Sequence, residues 1–219
     1  MDNVLESELN QRIIDLTSEN NSLKNEIVVL RGRIAELEKV SKMQSQFCNV
    51  VDLGLPSGTL WADRNIGASS PEECGEYFAW GEITTKDGEY SLEEYDYCNH
   101  PQTLPPSNDA ATQNWNNEWC MPTKEQFDEL LDCCLWTWTG KGYEVKSKIN
   151  GKSIVFPAAG RMWPTLGDVR QRGLYWSSTL YNGDSDFAWY LYFDSGHCGS
   201  NSGIRCDGFS VRAVQCRKG

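Results

Sequence analysis

Nine cysteines and two histidines are the residues of this chain best suited to hold a metal or act as nucleophiles. Their spacing fits neither task. Structural zinc takes closely spaced Cys or His pairs, whereas Cys133 and Cys134 are adjacent, the other cysteines are scattered, and His100 and His197 stand far apart. A disulfide framework shows an even set in a small secreted domain. The pattern here reads as reduced thiols, several buried as small hydrophobes. Ser, His and Asp form no base–nucleophile signature, so hydrolase chemistry is not expected. Asp184, Asp186 and Asp194 are close enough in sequence to coordinate calcium but lack a known loop spacing. No metal and no cofactor is expected.

The formal charge of −11 argues against nucleic acid or an anionic membrane as partner, because both need clustered Lys and Arg. No apolar run approaches the ~20 residues of a membrane span. The first residues, with Asp2, Glu6 and Glu8, lack the basic and apolar regions of a secretory signal. Cytoplasmic synthesis is therefore expected, unless the numbering starts after a removed segment.

Positioning elements fall into two domains, 1–44 and 45–219. In the first, Ile13, Asn20, Ile27 and Ile34 occupy heptad position a, and Leu9, Leu16, Leu23, Leu30 and Leu37 occupy d. Such a sustained seven-residue period predicts a coiled-coil stalk. The g–e pairs Glu19–Lys24, Glu26–Arg31 and Arg33–Glu38 are all of opposite sign, which favours a parallel arrangement. Ile at a, Leu at d and Asn20 at a lean towards a dimer. The run Arg33-Ile34-Ala35-Glu36-Leu37-Glu38 favours a trimer, because the Arg stem can pack across the core edge while its head pairs with a neighbouring Glu.

Beyond a polar connector from Ser41 to Asn49, two capping boxes predict helices. Ser70-Pro71-Glu72-Glu73 leads into Cys74 to Trp80, and Thr123-Lys124-Glu125-Gln126 leads into a helix with Phe127, Leu130, Leu131 and Cys134 on one face. The stretch from Thr84 to Trp119 is loop-rich. Ser153–Phe156, Gly173–Ser177, Ala188–Asp194 and Phe209–Val214 read as strands. Few helices among many short strands indicate an α+β head.

An ordered set of segments runs through that head: Val51-Asp52-Leu53-Gly54-Leu55-Pro56-Ser57-Gly58-Thr59-Leu60-Trp61-Ala62, Tyr77-Phe78-Ala79-Trp80-Gly81-Glu82, Met121-Pro122-Thr123 and Phe156-Pro157-Ala158-Ala159-Gly160-Arg161. Gly173-Leu174-Tyr175-Trp176-Ser177-Ser178-Thr179 and Gly208-Phe209-Ser210-Val211-Arg212 complete it. The set resembles the "Fibrobacter succinogenes major paralogous" domain family, common in Bacteroidetes and their phages. The resemblance implies a C-type-lectin-like fold of the formylglycine-generating-enzyme subtype. It also implies kinship with variable proteins of diversity-generating retroelements, whose C-terminal segment is rewritten by adenine-directed mutagenesis.

From Leu174 to Ala213 the chain contains no Lys, Glu, Gln or Met. Randomising the adenines of an Asn codon cannot produce those four, but it can produce the Tyr, Asp, Ser, Gly, His and Cys that abound there. This compositional bias marks about 174–213 as a variable region. In Trp189-Tyr190-Leu191-Tyr192-Phe193-Asp194 alternate side chains share a face. Trp189, Leu191 and Phe193 match fixed positions of the family and are expected in the core, leaving Tyr190, Tyr192 and Asp194 outward. Tyrosine beside small polar residues is also the vocabulary of antibody paratopes. Tyr181, Asn182, Asp184, Asp186, Phe187, His197, Ser200, Asn201, Ile204 and Asp207 complete the expected ligand-binding face. Cys198 and Cys206 read as by-products of diversification, and Arg205 and Arg212 as scaffold residues tying loop carbonyls together.

The expected function is a ligand-binding protein that carries a diversified face on an oligomeric stalk and meets a cell-surface protein or glycan. A phage tail-fibre or surface-recognition protein fits that description. Two alternatives stay open. One is an oxidase like the formylglycine-generating enzymes, although Cys198, Cys206 and Cys216 offer no assignable copper-holding pair. The other is a fixed-ligand interaction or carbohydrate-binding protein. For calcium-dependent sugar binding, Trp115-Asn116-Asn117-Glu118 is the nearest fragment and its Glu-Pro-Asn or Gln-Pro-Asp partner is missing.

Overall fold

The computed structural model describes residues 2–45, 48–87 and 90–216, with side chains in the N-terminal helix described from 6 to 34. Chain contacts divide it into two compact units, 1–46 and 47–219. The first is a single helix, α1 (Asp2–Ser45). Leu9, Ile13, Leu16, Leu23, Ile27, Leu30 and Ile34 are all exposed on it, as are Asn20 and Arg33. Leu37 and Glu38 lie outside the residues whose side chains are described.

The second unit is α+β and dominated by strands. Its first strands are β1 (Val50–Asp52), β2 (Leu60–Asn65), β3 (Tyr77–Phe78) and β4 (Trp119–Cys120), with the short helix α2 (Ala110–Asn114) preceding β4. Helix α3 (Lys124–Cys133) then leads into β5 (Cys134–Trp138), β6 (Gly142–Ser147) and β7 (Ser153–Pro157). A small hairpin, β8 (Arg161–Met162) and β9 (Leu166–Gly167), precedes β10 (Arg172–Leu180), β11 (Phe187–Asp194) and β12 (Cys198–Ile204). The unit closes with β13 (Phe209–Ser210) and β14 (Arg212–Gln215). They form sheets ordered β1-β2-β14-β4, β12-β11-β10-β13-β3 and β5-β6-β7, besides the β8–β9 pair.

The capping box at Thr123 forms in full: its hydroxyl accepts from the Gln126 amide, and the Gln126 side chain accepts from the Thr123 amide. Phe127 and Leu130 are buried, while Cys134, buried too, opens β5 instead of continuing the helix. The helix expected over Cys74 to Trp80 does not form. A Glu73 carboxylate reaches back to the Ser69 amide for one turn, but Gly75 then adopts φ +71°, where a Cβ would stand 2.2 Å from the Ile66 carbonyl oxygen. That left-handed glycine turns the chain into β3.

The run expected as one strand from Phe209 to Val214 is two strands in two sheets, with Val211 between them. Arg212, fully buried, holds this crossing. Its guanidinium donates to Asn65 Oδ1 at 2.9 Å, to the Val155 carbonyl at 2.7 Å and to the Ala62 carbonyl, and it lies over the Phe156 ring. Desolvation lowers it to about 10, so it stays charged at neutral pH.

The β10–β11 ladder has a packed layer on each side. Leu174, Trp176, Ala188 and Tyr190 join one core with Trp80 and Phe209. Tyr175, Leu191 and Phe193 join another with Trp61, Phe127 and Phe156. Ladder residues thus alternate between two interiors, not between core and water, which is why β10 is buried almost throughout.

Candidate ligand-binding face

Strand β12 is the edge of its sheet and pairs antiparallel with β11. Tyr190 stands opposite Asn201, Tyr192 opposite Gly199, Leu191 opposite Ser200 and Trp189 opposite Ser202. Directly opposed side chains share a face, so the expected site residues divide. Tyr190, Tyr192 and Asn201 lie on one side with Gly199 and Gly203. Phe187, Trp189, Ser200 and Ile204 lie on the other.

Four expectations are corrected here. Tyr190 is not an outward side chain: it is 9 % exposed, its ring packing on Phe209 at 4.9 Å and edge-on to Trp176 at 5.9 Å. Gly203 makes room, since a Cβ there would come within 3.0 Å of the ring. Asp207 is buried as well, at 6 % exposure, in the bend after β12. Ser200 faces α3, where its hydroxyl donates to Asp128 Oδ1. Conversely Trp189, expected in the core, stays half-buried beneath Lys124 Nζ at 4.8 Å, with Tyr181 edge-on at 5.1 Å.

What remains at the surface on the tyrosine side is Tyr192, Asp194, His197 and Asn201. Asp194 organises the turn leaving β11. Its Oδ1 accepts from the amides of Gly196 and His197, and its Oδ2 accepts from the Tyr192 hydroxyl. The Gly196 amide and then that hydroxyl hold its carboxyl below the usual range. The Tyr190 hydroxyl has no hydrogen-bond partner among the described residues. Burial raises its pKa, and it feels the charges of Arg161, Asp207 and Arg172. Arg161 and Arg172 both point at Asp168, at 3.9 and 3.4 Å.

The loop before β11 exposes Asn182, Asp184 and Asp186. Gln102 donates to Asn182, the Asp186 amide donates to Asp184, and Arg205 donates to the carbonyls of Ser185, through its side chain, and Asp186, through its amide. Phe187 and Ile204, directly opposed, flank it at the far end of the ribbon. Arg205 and Arg212 thus both tie loop or strand carbonyls together, as their scaffold reading required.

Burial raises the thiols of Cys48, Cys74, Cys120, Cys198 and Cys216, and those of Cys134 and Cys206 to about 11, so they are held protonated and poor as nucleophiles. Cys120, in β4, and Cys216, just past the end of β14, lie close enough to perturb each other's thiol. Among the described residues no group of three His, Cys, Asp or Glu could hold a metal ion, and no helix is long and apolar enough to cross a membrane. The arrangement offers hydrogen bonds, aromatic faces and alternating charge on rigid strands. Arg161 and Lys124, which border the two sides of the ribbon, are missed by sequence reasoning because they lie outside the biased 174–213 window. Compared with models of protein families, with curated proteins and with solved structures, the chain has no match in any of the three.

Proposed function

We propose that the chain is a ligand-binding protein: a C-type-lectin-like head on a parallel, trimeric coiled coil, presenting the β11–β12 face to a cell-surface protein or glycan. A phage tail-fibre tip or a surface-recognition protein uses such a design. The observation that carries this reading is the tyrosine–acid face: Tyr192, Asp194 and Asn201 on paired strands and His197 in the turn between them reach solvent beside the Tyr190 hydroxyl, which has no hydrogen-bond partner among the described residues. Rigid amphipathic rings next to small polar groups suit recognition. The absence of Lys, Glu, Gln and Met from 174–213 fits a segment diversified from copy to copy, and a near-identical template repeat beside a reverse transcriptase at the locus is the genomic check. The raised thiols weigh against the oxidase alternative.

The stalk supports the same reading. Seven heptad residues of α1 are about half exposed or more in the single chain, and an apolar seam of that length is covered by association with other helices. Three heads on one stalk combine modest affinities into avidity on a multivalent surface.

The test is binding of the labelled full chain to a panel of intact Bacteroidetes cells. Binding to some strains is expected, with at least a tenfold loss in a Tyr192→Ala, Asn201→Ala double variant. Undiminished binding of that variant overturns the choice of face, and no binding to any strain overturns the function.

A further inference from the structure

Asp207 is 6 % exposed, yet its Oδ1 has no hydrogen-bond partner among the described residues. Its Oδ2 lies 3.7 Å from Arg161 Nη1, beyond hydrogen-bond distance. Arg161 is 40 % exposed and, among the described residues, otherwise reaches only Asp168, at 3.9 Å. The Tyr190 hydroxyl is also unpartnered and lies within the electrostatic reach of both groups. Polar groups from β8, β11 and the bend after β12 thus converge with most of their hydrogen-bonding capacity unused. A buried carboxylate so placed weakens the fold, and among the described residues no hydrogen bond to it offsets that cost.

We propose that Asp207, Arg161 and Tyr190 form a subsite for a neutral hydroxyl-bearing group, a saccharide ring of the surface ligand, with the Tyr192 ring as the adjacent apolar platform. This rests on the ligand-binding reading above and names its ligand class. A cationic group fits poorly, because Arg161 already balances Asp207 and Arg172 stands nearby. An anion fits poorly beside Asp207, Asp168 and Asp194. A carbinol both donates and accepts: its O–H satisfies Asp207 Oδ1 while its oxygen accepts from Arg161 or the Tyr190 hydroxyl. A peptide amide N–H can only donate. Because Oδ1 is enclosed, a neighbouring side chain must move to admit the ligand, and Arg161, held among the described residues only by ion pairs of 3.9 and 3.7 Å, is free to do so.

The subsite has a pH signature. Burial pushes Asp207 up to about 6 against the pull of Arg161, so its acceptor oxygen is lost to protonation as pH falls through that value. The groups facing it are Arg161, with Asp168 and Arg172 beyond, and Tyr190 and Cys206, whose raised values keep them protonated. His197, 6.3 Å from the Tyr192 ring, is separated by its own His197→Gln variant.

The experiment uses the labelled full chain on cells that it binds, after treating portions with periodate, which cleaves vicinal diols, or with protease. Periodate is expected to abolish binding and protease to leave it. Asp207→Asn and Tyr190→Phe each lose about tenfold in affinity, as expected for a hydrogen bond to a desolvated partner, and Asp207→Asn removes the weakening below pH 6 that His197→Gln retains. Loss with protease but not periodate means a protein partner, which overturns the saccharide inference and leaves the ligand-binding function standing. Periodate sensitivity with full affinity in both variants places the sugar elsewhere and overturns the subsite. Absence of any cell binding overturns both.

Discussion

The guanidinium of Arg205 lies 4.8 Å over the ring of Trp80. From there it donates to the carbonyls of Tyr97 and Asn99 on one side and of Ser185 on the other, and to the Tyr95 hydroxyl. One buried side chain therefore ties the loop around 95–99 to the loop that exposes Asp184 and Asp186. Arg205→Ala is expected to destabilise the head by about 3 kcal/mol, since it leaves several buried carbonyls unpaired. Arg205→Lys recovers only part of this, because an ammonium cannot reproduce the planar fork. Thermal unfolding of the three proteins decides it, and equal midpoints would remove Arg205 from the scaffold.

Asp207 makes the head less stable as pH rises. Its folded value, about 6, lies above the ordinary 3.8, so the folded state binds the extra proton between those values and stability falls across that window. Asp207→Asn is accordingly expected to melt higher than the parent above pH 6, and the difference to vanish below the ordinary carboxylate value. A variant that melts lower than the parent at neutral pH would show that the carboxylate has a structural partner.

Asp194 carries the opposite sign. Its carboxyl is held below the usual value by the Gly196 amide and the Tyr192 hydroxyl. Its contribution is complete above that usual value and is lost as pH falls through the depressed one. Amide hydrogen exchange at Gly196 and His197 is expected to accelerate in Asp194→Ala at neutral pH, and in the parent only below the usual carboxylate range. Unchanged protection in the variant would mean that the turn holds without the carboxylate.

Gly32 sits at an outward heptad position, and a Cβ there meets nothing within 4 Å. Gly32→Ala is expected to stabilise the stalk by about 1 kcal/mol per chain. Circular dichroism melting reads this, and a lower midpoint would place the residue at a contact between helices. Sedimentation equilibrium of the same samples measures strand number, with a trimer expected.

How much of this was legible in the chain differs from element to element. The cap at Thr123 is local, satisfied by residues three positions apart, and it forms as read. The cap-like run at Ser70 has the same chemistry, but Gly75 ends it, because the left-handed turn that glycine permits brings the backbone against Ile66. A motif announces that a helix can start; packing a few residues on decides whether it continues.

The sequence by itself determines the α+β character, the heptad seam of α1, the helix at Thr123 and the scaffold roles of Arg205 and Arg212, because each follows from periodicity, short-range hydrogen bonding or the donor geometry of one side chain. Only the tertiary structure decides which face of β11 meets solvent. Alternation places Tyr190 and Tyr192 on one side but cannot say what covers that side. A second core built on Trp176 and Phe209 covers Tyr190 and packs against Tyr192 without burying it. The same layer leaves Asp207 enclosed beside Arg161, a juxtaposition of residues far apart in the chain that no local pattern encodes.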